Sequence, residues 1–171
     1  THEGVYLAVR RIKRSITFKN PVINFDKVLL IDNPHPGGEG HKYESNHEAR
    51  HRNGWMANNG GRLLITKGLN PDCDVIDFKV EEERGSFWRP DLSFDGKKVV
   101  FSYKPSGEKS FHLYIANADG TEIKQITFGD YDDLDPIWLP DGKISFTTSR
   151  AGTYVRCMPQ THVFVLARCD A

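Results

Sequence analysis

Cysteine is scarce in this 171-residue chain: only Cys73, Cys157 and Cys169 are present. None forms a CxxC pair, which excludes the zinc-ribbon and thioredoxin patterns, and without CxxCH there is no covalent haem in this segment. Long apolar runs are also missing. Nothing approaches the roughly 18–20 residues that cross a bilayer, so no membrane span is expected. Charge of one sign is not in surplus either, because 23 Lys and Arg balance 23 Asp and Glu. That balance removes the electrostatic case for nucleic acid, or an anionic membrane, as the main partner. The chain has no GxSxG nucleophile elbow, which argues against a serine peptidase of that type.

What is present suits a folded, β-rich protein: 38% hydrophobic and 11% aromatic residues. An internal repeat sets the architecture. Pro90-Asp91-Leu92-Ser93-Phe94-Asp95-Gly96-Lys97 returns as Pro136-Ile137-Trp138-Leu139-Pro140-Asp141-Gly142-Lys143, an offset of 136 − 90 = 46. Each Asp-Gly reads as a hairpin turn, since Gly accepts positive φ. The returning strands, Val99-Val100-Phe101-Ser102 and Ile144-Ser145-Phe146-Thr147, are β-branched and aromatic. In the first of these units a third strand, His112–Ala116, and a fourth, Glu122–Thr127, flank the turn Asn117-Ala118-Asp119-Gly120. In the second, His162–Ala167 reads as the third strand.

Four strands per repeat is the blade of a β-propeller. The fold class expected is therefore all-β, a propeller fragment of two clear blades and a partial one, with a short N-terminal helix. Residues 1–40 read as a helix and strand leading into the propeller, and 41–171 as the partial propeller, with units at about 54–83, 88–128 and 134–171. The helix rests on Val5, Val9, Ile12 and Ile16, one face at helical spacing, with Arg10, Arg11, Lys13 and Arg14 between them. Asn20-Pro21 ends it, and Lys27–Ile31 reads as a strand.

Blade geometry gathers certain loops at one end of the sheets: Gly40–Trp55, Arg84–Arg89, Gly129–Asp135 and Ser149–Thr161. The first holds His47 and His51, four apart, which share one side if the segment is helical. They are a candidate metal pair, or else part of a polar surface loop. The second brings Trp88 and Arg89. The third supplies Asp133 and Asp135, which suit Ca²⁺ or a cationic ligand, or else cap the turn that launches the next strand. The fourth carries Arg150, Tyr154 and Arg156, and its arginines suit carboxylate or phosphate recognition. It also holds Cys157 and His162, candidate soft metal ligands. No cofactor is fixed by these residues; a divalent metal (zinc, manganese or calcium) is the one they admit.

The entry Leu7–Arg14 through Asn20-Pro21 and Phe25-Asp26, the Pro90–Lys97 blade, and Asp133–Gly142 followed by Ser149–Cys157 together resemble the propeller-bearing region of the hydrazine synthase alpha subunit family. The blades alone are similar to the wider TolB-like, WD40-like group. The resemblance implies a periplasmic or otherwise exported multidomain protein, often with c-type haem elsewhere in its chain. It departs from the family at two points: Asn46-His47 is followed by Glu48-Ala49-Arg50 without cysteine, and Met158 rather than His follows Cys157. The expected role is a scaffold that binds a small or carbohydrate ligand, or a partner such as another subunit or the remainder of its own chain. The alternatives are a metal-dependent enzyme of the oligogalacturonate lyase type, with Arg150 or Arg156 on the uronate and His47 or His51 on the metal, and an accessory domain of a haem redox enzyme.

Overall fold

A computed structural model describes residues 2–34, 57–70, 72–156 and 158–171, with the backbone alone for 158–161. The fold is mostly β. Helix α1 (His2–Thr17) precedes β1 (Leu29–Asp32), β2 (Arg62–Thr66) and β3 (Val75–Asp77), which form the first sheet in the order β1-β2-β3. The central sheet is a four-stranded meander of β4 (Ser86–Leu92), β5 (Lys98–Lys104), β6 (His112–Asn117) and β7 (Lys124–Gln125). The third sheet begins with β8 (Asp133–Trp138) and β9 (Ile144–Thr148). A small hairpin, β10 (Tyr154–Val155) and β11 (Met158–His162), precedes β12 (Val165–Cys169), which pairs with β9. All pairings are antiparallel.

The repeated Asp-Gly turns are built as their chemistry requires. Gly96 and Gly142 sit at φ of 69° and 80°, where a side chain is strained. Asp95 and Asp141 each accept a hydrogen bond from the amide two residues on, at 3.1 and 3.2 Å. The sheets differ from expectation at their margins. Leu29–Asp32 pairs along β2 as a member of the first sheet. The fourth central strand shortens to Lys124–Gln125. His162 closes β11 rather than opening β12, because the chain turns where the Val163 amide donates to Thr153 O.

Side-chain alternation stacks the sheets in chain order. Val99, Phe101 and Tyr103 of β5 face the first sheet, in a cluster with Leu63, Ile65, Phe78, Phe87 and Tyr114. Val100, from the other face of β5, joins Leu113, Ile115, Ile144 and Phe146. A third cluster, Ala57, Phe111 and Leu134 with Trp88 and Phe164 beside it, lies at the end from which β4 and β8 start. That end, opposite the Asp-Gly turns, is called the rim below. The described flanks of the long β1–β2 connection also reach it: Asn33 bonds to Phe87 O at 2.8 Å, and the amides of Gly60 and Gly61 bond to Arg84 O and Gly85 O.

Candidate functional site at the rim

The first strands of the central and third sheets, β4 and β8, bulge at matching places. Register slips between Trp88 and Asp91 on β4, and between Leu134 and Ile137 on β8. In each bulge the residue before proline takes a positive φ: Arg89 at 31° and Asp135 at 53°, separated by 135 − 89 = 46 residues. Such non-glycine conformations cost on the order of 1–3 kcal/mol each, and bulges redirect side chains. Here they bring three side chains together. Asp135 Oδ1 accepts from Trp88 Nε1 at 3.0 Å and lies 3.3 Å from Arg89 Nε. The Arg89 guanidinium sits 5.8 Å over the Trp88 ring, and its side chain is 67% exposed against 22% for Asp135. Thr147 Oγ1 donates to Asp135 Oδ2 at 3.3 Å.

One step closer to the rim lies an ion pair with one buried partner, Asp133, and one exposed partner, Arg150. Asp133 is fully buried opposite Thr148, and its Oδ2 meets Arg150 Nη2 at 2.6 Å. Arg150 also donates to Phe128 O at 3.1 Å and sits 5.3 Å above the Tyr131 ring. Among the described residues, Asp133 Oδ1 is buried without a hydrogen-bond partner, as are Ser86 Oγ and Ser102 Oγ. Asp132 braces the neighbouring turns: its Oδ1 accepts from the Phe111 amide at 2.8 Å, and its own amide donates to Ser149 Oγ at 2.9 Å. Buried Lys104 reaches Asn59 Oδ1 at 3.3 Å and Glu108 O at 3.4 Å. Burial pulls its pKa below the usual lysine value, against the opposing pull of the Asp132 charge.

The structure therefore joins the expected ligand-binding residues in two neighbouring groups, Trp88–Arg89–Asp135 and Asp133–Arg150. Tyr154 and His162 stand apart on the small hairpin, paired in register with ring centroids 4.5 Å apart. Arg156 is exposed at that hairpin's turn. The metal candidates His47, His51 and Cys157 lie outside the described residues. Among the described residues, no three His, Cys, Asp or Glu side chains group as a metal site.

Sequence reasoning singled out neither Lys104 nor Tyr131. The signal for Lys104 was its parity: it shares the face of β5 with Val100 and Ser102, so it had to be buried against the third sheet. Tyr131 left no local signal, because its partner Arg150 is distant in sequence.

No protein-family model matches the chain, and no curated protein matches it.

Proposed function

We propose that the chain is a β-propeller segment of a larger exported protein, related to the hydrazine synthase alpha subunit group, and that its rim binds a small or carbohydrate ligand or a partner. The observation that carries the binding reading is the pair of matched bulges at Arg89 and Asp135. Two strained turns at equivalent repeat positions hold an exposed guanidinium, an indole face and a carboxylate side by side. An indole face suits the apolar face of a sugar ring or a planar group, and the exposed guanidinium suits a carboxylate. The 46-residue repeat and the stacking of successive antiparallel sheets support the propeller reading. The metal-dependent reading rests on His47, His51 and Cys157, outside the described residues, and on His162, whose ring lies against Tyr154.

The test is a thermal-shift screen of neutral and acidic oligosaccharides on the wild type and on Arg89→Ala. The expected result is a saturable rise in Tm with an acidic oligosaccharide, lost in Arg89→Ala. An equal rise in both proteins, or no rise with any member of the panel, removes this assignment.

A further inference from the structure

A second concave site lies away from the rim, between α1 and the β2–β3 hairpin. It is a cavity of about 620 Å³, within the roughly 300–1,000 Å³ typical of small-ligand sites. Arg11, Arg14 and Phe18 follow i, i+3, i+7 on one side of the helix and its C-terminal turn, and all three line it. Lys19 follows them, and Lys67 faces them from the hairpin. One carboxylate, Asp72, lines the same cavity against these four cations. Among the described residues none of the four cations makes a salt bridge. The helix is held over the hairpin by Arg14 Nη1, which donates to Leu69 O at 3.1 Å.

A solvated basic face does not account for this arrangement. The negative end of the helix dipole attracts cations in the last turn, and Arg14 is the basic residue there. Arg11 lies farther back and Lys67 comes from a strand hairpin, so the dipole explains neither. The whole chain has no net charge, yet this concavity concentrates four cations around one carboxylate. The helix also leaves its apolar stripe of Val5, Val9, Ile12 and Ile16 exposed, with Lys13 beside it, and sets Arg11 and Arg14 toward the hairpin.

The geometry points to a binding site for a phosphoryl-bearing ligand in this cavity. A phosphate monoester carries about −1.5 to −2 charges at neutral pH, which answers the local surplus. The guanidiniums of Arg11 and Arg14, both lining the cavity, supply planar donors for its oxygens. The Phe18 ring, with Arg14 5.8 Å above it, gives an organic body an apolar wall.

Titration calorimetry of the intact chain with sodium pyrophosphate tests the assignment. The expected result is saturable binding of one pyrophosphate per chain that weakens as salt is added. Arg11→Glu/Lys67→Glu should weaken it by about tenfold or more, and the milder Arg11→Gln/Lys67→Gln by less, with both variants retaining the wild-type circular dichroism spectrum. Arg89→Ala, at the rim, should bind pyrophosphate as the wild type does, so this site and the rim site fail or stand separately. Co-sedimentation with phosphatidic acid vesicles, lost in the double variants, assigns the phosphoryl group to a lipid headgroup; binding of pyrophosphate without vesicle binding assigns it to a soluble ligand. No saturable pyrophosphate binding, undiminished binding in the glutamate variant, or citrate binding as tightly as pyrophosphate overturns the assignment.

Discussion

On β5, Val99, Phe101 and Tyr103 face the first sheet, while Val100, Ser102 and Lys104 face the third. The first interface is rich in aromatic rings. Phe101 has Phe87, Tyr114 and Phe78 at ring-centroid distances of 5.6, 5.9 and 6.2 Å, and Tyr103 stands 4.6 Å from Phe87. The second begins as a mainly aliphatic cluster of Val100, Leu113, Ile115 and Ile144 with one ring, Phe146, and turns polar toward the rim. There Ser86, Ser102, Lys104, Asp132, Asp133 and Thr148 are all buried. Aromatic burial stabilises by area and by edge and offset contacts. Buried charges repay their desolvation only when tightly partnered. The same strand thus builds an anchoring face and a face that fixes charged groups beneath the candidate site.

The comparison breaks most visibly at Phe101. Phe101→Ala empties the centre of the aromatic interface and should cost about 3–5 kcal/mol in urea unfolding. A loss below about 1 kcal/mol would mean that the first two sheets do not depend on this cluster.

The polar face should respond next most strongly. Arg150→Met leaves the Asp133 carboxylate buried without its counter-ion, a loss of about 3 kcal/mol. The sharper version is the double change Asp133→Leu/Arg150→Met. Replacing both partners by apolar groups should recover most of that loss, because the pair fixes geometry rather than supplying net stability. If the double variant is as unstable as Arg150→Met, the ion pair stabilises the fold in its own right.

Much of this contrast was legible in the sequence. The 46-residue offset, the Asp-Gly turns and the β-branched and aromatic return strands could be read from the residues themselves, the turns because Gly accepts positive φ. Asp133 and Arg150 were recognisable as candidate ligand residues, but not as each other's partner, since their contact spans 17 residues. The bulges were not legible either. A proline announces a restricted predecessor, yet positive φ at Arg89 and Asp135 depends on the register of the neighbouring strand. The helical period of α1 was clear, but a period does not name the surface a face will meet. The stripe Val5, Val9, Ile12 and Ile16 turned out exposed.

A smaller effect is expected where the two faces meet. Tyr103 Oη accepts a hydrogen bond from the Gly85 amide at 2.9 Å, and a Cβ at Gly85 would lie 1.9 Å from Lys104 O. Tyr103→Phe keeps the ring in the aromatic cluster and leaves the buried amide unpaired, for a loss of about 1–2 kcal/mol. Stability equal to wild type would show that another acceptor, such as water, takes over the Gly85 amide.

The smallest and most diagnostic contrast is in alkali, where the two faces should act with opposite signs. Burial, then the charge of Glu81, pushes Tyr114 from 10.0 up to about 12. Between those values the unfolded chain has lost the phenolic proton and the folded chain retains it, so stability falls as pH rises. Tyr103 adds to this limb, since burial raises it as well. Lys104 works the other way. Burial lowers its pKa below 10.5, so between its folded value and 10.5 the unfolded chain binds the extra proton and stability rises with pH. Urea midpoints across the alkaline range should therefore show a rising limb that Lys104→Met removes and a falling limb that Tyr114→Phe reduces. If Lys104→Met instead steepens the rise, or Tyr114→Phe deepens the fall, the assignment of Lys104 to a charge-penalising interior and of Tyr114 to a protonated one is wrong.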